Sequence, residues 1–281
     1  MSLLDQPNRE QSTLWNEASG PAWVALQEVL DRMLAAFEAR LTAEAFPGGS
    51  RRVLDIGCGA GATTLAMARR LGPAGLCLGV DISAPLVAAA KARAAAEGVD
   101  AAAFVLGDAQ TYAFEANDFD AVISRFGVMF FDDPVAAFAN IRRAARPGAT
   151  LTFAAWRTPA ENPFMTTAVR VAAPFLPPMP APDPDAPGQF AFADAERVRR
   201  ILGASGWRDV TVTSLDLPAE VAEADLMAYV TRLGPVGAAL RTADEATRAR
   251  VTEALELGFR PYVQDGVARF TSACWLVKAR A

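Results

Sequence analysis

The chain has 281 residues, of which 52% are hydrophobic, enough for one large α/β domain with insertions or for two small domains. Its net charge is −5 with both signs scattered, which argues against nucleic acid and anionic membrane surfaces as main partners, because both require concentrated basic residues. The chain contains no histidine, so a serine–histidine triad and histidine-ligated metal sites are excluded.

The three cysteines, Cys58, Cys77 and Cys274, lie far apart in the chain and show no metal-ligand spacing. An odd, scattered set of thiols favours a reducing compartment, so we expect a cytoplasmic protein without a metal site. No apolar run approaches the roughly 20 residues that a membrane span needs. The polar start of the chain also lacks a signal-peptide pattern.

Residues 1–48 are predicted to form an N-terminal helical segment. After a frayed arm, a short helix begins near Ser12, and Ser19-Gly20-Pro21 is expected to break it and start a longer helix that ends at Pro47-Gly48-Gly49. Apolar residues at spacings of three and four predict one buried face: Leu26, Leu30, Met33, Phe37 and Leu41. The segment either packs on the flank of the domain or forms a lid over a ligand, with Trp15 reaching inward.

The stretch from Arg51 to Asp81 organises the rest of the chain. A short apolar strand is followed by a glycine turn, an alanine- and leucine-rich helix, and a second apolar strand that ends on Asp81. The glycines, Gly57, Gly59 and Gly61, let the backbone approach a ligand closely because they have no Cβ. The terminal carboxylate suits a pair of ribose hydroxyls, so this layout predicts a site for a ligand that carries an adenosine.

Strands and helices continue to alternate up to residue 156. The predicted elements are a helix capped by Ser83 that runs to Glu97, strands over 102–106 and 119–124, a helix that starts at Asp133-Pro134, and a strand over 150–156. This alternation predicts a doubly wound parallel sheet, with residues 49–156 as its core. Acids or arginine stand at the tips of the first four strands or just beyond, where ligands bind in open α/β sheets.

A proline cluster marks residues 157–192 as an insertion. It is predicted to contain a short helix over 163–172 and then an irregular excursion. The insertion is either a surface loop or a pocket wall, and the second interpretation depends on its apolar residues: Phe164, Met165, Phe175, Leu176 and Met179.

Residues 193–281 are predicted to complete the core. The expected elements are a helix capped by Asp194, a strand over 207–217, a helical insertion within 219–262, and a turn at Gln264-Asp265-Gly266. The final strand, over 268–278, is apolar on both faces near its end, so we expect it inside the sheet and not at an edge.

Two adenosine ligands fit the glycine turn, a nicotinamide dinucleotide and S-adenosylmethionine. Asp55 stands two residues before the first glycine, where an acid would oppose a pyrophosphate but suits a cationic amino group. Asp108 follows the third strand, and a carboxylate there can accept from the adenine N6 amino group while the backbone N–H of Ala109 donates to the ring. The last strand also follows a hairpin-like turn, not a parallel unit. These features favour S-adenosylmethionine.

In these residues the sequence resembles the class I S-adenosylmethionine-dependent methyltransferases, and most closely their small-molecule branch that resembles enzymes of ubiquinone and menaquinone biosynthesis. The match covers about residues 50–156 and is carried by Val53-Leu54-Asp55-Ile56-Gly57-Cys58-Gly59-Ala60-Gly61, Gly79-Val80-Asp81-Ile82-Ser83, Gly107-Asp108-Ala109, the segment from Phe119 to Phe126, and Arg146-Pro147-Gly148. The resemblance implies a Rossmann-like sheet of seven strands whose last strand is antiparallel, with the N-terminal segment and the insertions forming a cap. It also implies that the cofactor is S-adenosyl-L-methionine and that the product is S-adenosyl-L-homocysteine.

The resemblance also implies roles for individual residues at the first two strands. The backbone at Gly57, Cys58 and Gly59, within the motif that runs from Asp55 to Gly61, lies along the methionine moiety. Asp81 binds the ribose hydroxyls and Ile82 packs on the adenine. Asp55 is alternatively a structural acid that ties down the loop, and Cys58 is expected to be a small filler and not a reactive thiol.

Further roles follow for the third and fourth strands. Asp108 and Ala109 read the adenine edge. The backbone carbonyl of Arg125 lies near the sulfonium, and Phe126 lies close by. A small-molecule substrate is expected near four aromatic residues: Trp15, Phe130, Trp156 and Tyr229.

The catalytic residue stays open at this stage. Methyl transfer from a sulfonium is an in-line displacement in which the protein mostly aligns the reacting atoms and excludes water. Because the chain has no histidine, a general base would be Tyr229, Glu220, Glu223 or Asp225, unless the acceptor ionises unaided; for each of these four, a solvated helix face is the competing interpretation.

The composition of the insertions suits a small, partly hydrophobic acceptor such as a phenol, quinone precursor or polyketide, methylated on oxygen, carbon or nitrogen. The fourth strand ends in Ser124-Arg125-Phe126-Gly127, which disfavours methylation of base amino groups in nucleic acid. Two alternatives remain open from the sequence, an NAD(P)-dependent oxidoreductase and a non-catalytic sensor of S-adenosylmethionine. A homodimer also stays open.

Overall fold

The computed structural model describes residues 7–46, 51–178, 183 and 185–281. Several sequence predictions concern residues outside these ranges. They are the start of the frayed arm at residues 1–6, the helix end and domain boundary at residues 47–49, and the proposed pocket-wall residue Met179.

One mixed sheet runs through the molecule in the order β3-β2-β1-β4-β5-β8-β6, and a short strand, β7, pairs with β8 beside this path. The strands are β1 (Arg52–Ile56), β2 (Leu76–Asp81), β3 (Ala102–Leu106), β4 (Phe119–Arg125), β5 (Ala145–Trp156), β6 (Arg208–Ala222), β7 (Val263–Gln264) and β8 (Val267–Arg280). Strands β1 to β5 pair in parallel, whereas β8 is antiparallel to both β5 and β6. The predicted doubly wound sheet with an antiparallel last strand inside it is therefore confirmed, and β7 adds an eighth strand.

Helices connect the strands and cover the sheet. They are α1 (Arg9–Thr13), α2 (Ser19–Ala25), α3 (Gln27–Met33), α4 (Ala35–Ala45), α5 (Ala62–Leu71), α6 (Ala84–Glu97), α7 (Pro134–Ala144), α8 (Pro163–Ala172), α9 (Ala195–Ala204), α10 (Glu223–Arg232), α11 (Gly234–Thr242) and α12 (Glu245–Phe259). Helices α5 and α6 pack against β2 and β3, and α4 packs against β4 and β5. The core lies between these layers.

Strands β5 and β6 extend furthest beyond the ends that the sequence predicted. Strand β5 begins at Ala145 instead of Thr150, with a register irregularity against β4. Strand β6 continues past Leu217 to Ala222, because it stays paired with β8 through this stretch. Pro218 lies within the extension, opposite Thr271. Proline is tolerated there because β6 ends the strand order and has one paired side among the described residues.

The N-terminal segment breaks at other positions than predicted. A π-helical turn (Leu14–Ala18) joins α1 to α2, so Ser19-Gly20-Pro21 does not interrupt the helix. Non-helical backbone occurs instead at Leu26 and Leu34, which separate α2, α3 and α4. The predicted buried face is confirmed, since Leu26, Leu30, Met33, Phe37 and Leu41 are all buried. Gly20 serves close packing, because a Cβ there would lie 2.0 Å from the carbonyl oxygen of Trp15.

The hairpin between β7 and β8 has the predicted turn. Gln264 pairs with Val267, so Asp265 and Gly266 form a two-residue loop. Both have positive φ, 51° and 75°, as a type I′ turn requires. This turn directs β8 back along β6 and into the sheet.

Candidate functional site

The glycine turn after β1 has one packed position and one open position. Gly57 has φ 65°, and a Cβ there would lie 2.6 Å from the Cα of Gly127, so the tips of β1 and β4 pack backbone to backbone. Gly59 has φ 54°, but a Cβ there would meet no atom of the described residues within 4 Å. The turn is held by the N–H groups of Gly57 and Cys58, which donate to the carbonyl of Val80 at 2.9 and 3.1 Å. Gly59 therefore presents backbone to open space, as a ligand-binding turn requires.

Asp81 lies against this turn at the tip of β2. Its Oδ2 accepts from the backbone N–H of Gly59 at 2.8 Å, and its Oδ1 accepts from that of Ser83 at 2.9 Å. Burial raises the pKa of Asp81, while these backbone hydrogen bonds act in the opposite direction. The turn and the carboxylate thus form one unit, with an acid placed where the sequence predicted a ribose partner.

Asp55 is fully buried at 1% exposure and accepts from Thr64 Oγ1 at 2.7 Å. Burial raises its pKa to about 7, which the Thr64 hydrogen bond and the charge of Arg125 oppose. The contact links β1 to the first turn of α5, which is the loop-anchoring role considered for this acid. A role toward a cationic amino group stays a prediction.

Cys58 faces the interior at 6% exposure, and burial raises the pKa of its thiol. A thiol with a raised pKa is a poor nucleophile. Cys58 therefore fills space behind the turn, as expected from the sequence. A Cβ at Gly79 would lie 2.8 Å from its Sγ, which shows how tightly this space is packed.

The third strand brings Asp108 beside Asp81. Asp81 and Leu106 are paired across β2 and β3, and the N–H of Gly107 donates to the carbonyl of Asp81 at 2.9 Å. Ala109 is buried, and its carbonyl accepts from Asn140 Nδ2 at 3.0 Å. The structure therefore brings the two predicted nucleoside-binding acids to one edge of the sheet.

The tip of β4 is aromatic and has an unusual backbone. Phe126 has φ 62°, a left-handed conformation that is uncommon for an aromatic residue. Its N–H donates to the carbonyl of Ala154 at 3.1 Å, and its ring stacks on Trp156 with centroids 3.9 Å apart. Phe37 of α4 contacts both rings edge-on at 5.2 and 5.7 Å. This packing holds the strained residue in place at the start of the loop after β4.

The side chain of Arg125 is a feature that the sequence reasoning did not use, since it assigned only the backbone carbonyl. Its Nη1 is buried and has no hydrogen-bond partner among the residues that the structure describes. Burial lowers the pKa of Arg125, whereas the nearby negative charges of Asp31, Glu38 and Asp55 raise it. A buried guanidinium with an unsatisfied N–H donor destabilises the fold unless an anion or polar group accepts a hydrogen bond from it.

The N-terminal segment is held at this edge of the sheet by hydrogen bonds at Trp15 and Asn16. Ser83 Oγ donates to the carbonyl of Trp15 at 2.7 Å, and Asn16 Nδ2 donates to the carbonyl of Ile82 at 3.1 Å. Asn16 Oδ1 accepts from the N–H of Ala84 at 2.9 Å and so caps α6. The predicted cap by the Ser83 side chain is wrong, because that hydroxyl is engaged by the segment. Asn16 was missed since its partners lie 66 and 68 residues away.

The four predicted substrate-lining aromatics do not form one cluster. Trp15 meets Phe130 edge-on with centroids 5.4 Å apart, whereas Trp156 belongs to the Phe126 stack. Tyr229 lies on α10, which packs on α11, α12 and β6, and burial raises its pKa well above the ordinary value. Its phenol is therefore poorly suited to act as a base.

The carboxylate candidates for a general base are on the surface. Glu220 lies on β6 and not on a helix, and it pairs with Arg269 at 3.3 Å. Asp225 pairs with Arg32 at 2.8 Å, which ties α10 to α3. Glu223 is exposed. These contacts match the interpretation of solvated surface acids.

Two structural features are absent from the described ranges. No helix there is both long and apolar enough to cross a membrane. No group of three or more cysteine, aspartate or glutamate side chains there is arranged to hold a metal ion. The candidate site is therefore defined by its glycine turn, its two acids and its aromatic rings.

Comparisons with known proteins extend this description. A family model described as a methyltransferase domain matches residues 53–148. Nocamycin O-methyltransferase of Saccharothrix syringae is 40% identical over 95 residues, 34% of this chain and 34% of that protein. Demethylmenaquinone methyltransferase of Roseiflexus castenholzii is 31% identical over 184 residues, 62% of this chain and 75% of that protein.

The matches differ in how much of each protein they span. The first curated relatives are matched over only 34% to 55% of their own lengths. Among solved structures, the YcgJ protein of Bacillus subtilis has a TM-score of 0.58 at 20% identity, covering 88% of this chain and 98% of that one. At that identity the structural likeness supports the fold alone.

Proposed function

Because the chain belongs to the class I S-adenosylmethionine-dependent methyltransferases, we propose that it methylates a small, partly hydrophobic metabolite. The observation that carries the proposal is that a polar group of residues and an aromatic group of residues lie side by side at one sheet edge. Acids and an open glycine turn stand at the tips of β1 to β3, and stacked aromatic rings stand at the tips of β4 and β5. The first suits a charged nucleoside and the second suits an apolar acceptor.

The residues present fit the cofactor. Gly59 leaves open space above its backbone for the methionine moiety, and Asp81 offers a carboxylate for the ribose hydroxyls. Asp108 and Ala109 stand next to it for the adenine edge, and Ile82 follows Asp81 directly. When bound, S-adenosylmethionine supplies a methyl carbon activated by positive sulfur. The protein then has to hold the acceptor in line and keep water out.

The aromatic end supports a flat or partly apolar acceptor. Phe126, Trp156 and Phe37 form a continuous ring cluster that extends to Phe164 at 5.5 Å from Trp156. Relatives act, by their names, on nocamycin, aklanonic acid and demethylmenaquinone. We therefore propose a phenol, quinone precursor or polyketide as the acceptor class.

Arg125 replaces a general base in this proposal. Burial disfavours Tyr229 as a base, and ion pairs with arginine engage Glu220 and Asp225. The fourth candidate, Glu223, is an exposed surface acid. In this proposal the acceptor therefore loses its proton unaided or with help from a positive charge. The buried, unpartnered guanidinium nitrogen of Arg125 at the β4 tip is such a charge. A cation close to a phenol or enol lowers the pKa of that hydroxyl by stabilising its anion. This supports an acidic hydroxyl or enol as the acceptor group.

The direct test has two steps. S-adenosylhomocysteine is expected to raise the melting temperature of the protein by mass action, whereas NADH and NADPH are not. Transfer of a labelled methyl group from S-adenosylmethionine is then measured with panels of phenols, quinols, polyketides, amines and RNA. Turnover with a phenol or polyketide supports the proposal. Turnover only with amines or RNA, or no thermal shift, contradicts it.

A further inference from the structure

Asn8 is a buried polar residue of the N-terminal segment. It is 2% exposed although it directly precedes α1. Its backbone is left-handed, with φ 55° and ψ 23°, a conformation that asparagine adopts more readily than most residues. A buried polar side chain in this position requires hydrogen-bond partners, and it has them on two loops of the core.

One set of contacts joins Asn8 to the loop before α7. The N–H of Asn8 donates to Asp132 Oδ2 at 2.5 Å, and the N–H of Asp132 donates back to Asn8 Oδ1 at 2.6 Å. The other set joins it to the loop after β3. Asn8 Nδ2 donates to Asp108 Oδ1 at 2.9 Å and to Gln110 Oε1 at 3.2 Å. Because Oδ1 must accept and Nδ2 must donate, the amide has one orientation.

The two carboxylate oxygens of Asp108 have different hydrogen-bond partners. Oδ1 accepts from both Asn8 Nδ2 and the N–H of Gln110, each at 2.9 Å. Within the described part of the chain, the contact of Oδ2 is with Thr111 Oγ1 at 3.4 Å, near the limit of a hydrogen bond. Oδ2 therefore has capacity left for a strong N–H donor.

We propose that Asn8 is a positioning residue for nucleobase recognition, which fixes the Asp108 carboxylate so that Oδ2 stays available to the amino group of adenine. This inference rests on the proposed function, in which Asp108 reads the adenine edge. Without the Asn8 side chain, Oδ1 loses a donor and the carboxylate can rotate, so the acceptor is no longer preorganised. The N-terminal segment thus sets base selectivity while donating nothing to the base.

The experiment compares two ligands by titration calorimetry, S-adenosylhomocysteine and S-inosylhomocysteine, in which a carbonyl replaces the adenine amino group. The variant is Asn8→Gly, because glycine keeps the left-handed backbone without strain. The matched control is Asn117→Gly, which has φ 54°, is exposed and lies before β4 at the opposite edge of the sheet. Asn8→Asp, of the same shape without the Nδ2 donor, is the second variant.

The unmodified chain is expected to prefer the adenosyl ligand by at least about tenfold, as one hydrogen bond to a charged group is worth that much. Asn8→Gly should lower adenosyl affinity about tenfold and leave inosyl affinity within about twofold, so that the preference disappears. Asn8→Asp should show the same lost preference, and Asn117→Gly should keep it.

Two results would overturn the inference. Equal weakening of both ligands would mean that Asn8 only fastens the segment, and an unchanged preference in both Asn8 variants would mean that it does not act on Asp108. If the unmodified chain bound neither ligand, the proposed function itself would fail. If it bound both equally, Asp108 would not read the amino group. Either outcome would remove the basis of the inference.

Discussion

The two ends of the ligand edge are held together by different forces. At the tips of β1 to β3, carboxylates are fixed by hydrogen bonds from nearby backbone, as for Asp81. At the tips of β4 and β5, rings from distant parts of the chain are fixed by packing, as for Phe37 against Phe126 and Trp156. We propose that the two ends have different roles, in which the polar end determines ligand affinity and the aromatic end contributes mainly to the stability of the fold.

The largest change in stability is expected from removing a ring at the aromatic end. Phe37→Ala removes a fully buried ring, so the free energy of unfolding should fall by about 4 kcal/mol. Affinity of the folded protein for S-adenosylhomocysteine should stay within about threefold, since the polar end keeps its hydrogen bonds. Urea unfolding and calorimetry measure the two quantities. Leu14→Ala, at a side chain 42% exposed, is the control and should cost little. A large loss of affinity with unchanged stability would contradict this difference in roles.

At the polar end we expect a large loss of ligand affinity with little loss of stability. Asp81→Asn removes the charge that would bind the ribose, so affinity for S-adenosylhomocysteine should fall about 100-fold. Stability should fall by only about 1 kcal/mol, because the amide keeps one of the two acceptor oxygens that meet the backbone N–H groups of Gly59 and Ser83. Asp100→Asn, at an exposed acid after α6, is the control. Unchanged affinity in Asp81→Asn would remove the ribose assignment.

A third change tests the buried acid beneath the turn by its pH dependence. The pKa of Asp55 is about 7 in the folded protein, against 3.8 for the free group, so the folded state binds the extra proton between these values. The contribution of Asp55 to the free energy of unfolding is therefore largest below about pH 4. It is lost as the pH rises to 7, at up to about 1.4 kcal/mol per pH unit.

Asp55→Asn removes this titration and keeps an acceptor for Thr64. The stability of the variant relative to the unmodified protein should therefore increase from pH 5 to pH 7 and level off above pH 8. Urea unfolding at four pH values measures it, and titrations common to both proteins cancel in the difference. A difference independent of pH would show that Asp55 titrates outside this range.

The smallest expected effect concerns the attachment of the N-terminal segment to the polar end. Asn16→Ala removes the cap of α6 and the bond to Ile82, and should cost about 1 kcal/mol. Thr13→Ala, at an exposed residue of the same segment, is the control. Thermal unfolding with and without S-adenosylhomocysteine measures the change. Equal effects of the two substitutions would mean that Asn16 does not contribute as a cap.

Most of the polar end could be predicted from the sequence because its information is local. The glycines and Asp81 lie close to the ends of short apolar strands, and parallel strands bring their carboxyl ends to one edge. The same logic placed Asp108 beside Asp81. The fold class followed from the alternation of strands and helices, and the antiparallel last strand from the family resemblance.

What the sequence did not reveal depends on contacts between distant residues. Asn8 lies in the predicted frayed arm and Asn16 in the predicted short helix, and the sequence did not reveal their long-range partners, which lie 66 to 124 residues away. The buried donor of Arg125 became visible only once α4 and β4 were packed together. Strand β6 was predicted too short because its extension depends on pairing with β8, and Pro218 normally argues against a strand.

The position of β8 has a consequence for how the protein is made. Among the described strands, β6 pairs with β8 alone, and β5 has β8 on its outer side. During synthesis, β5 and β6 therefore emerge from the ribosome well before the strand that must insert between them. Until residues 267–280 arrive, two rows of backbone N–H and C=O groups remain unpaired. A nascent chain stalled in this interval should be the form of the protein most prone to aggregation and most dependent on chaperones.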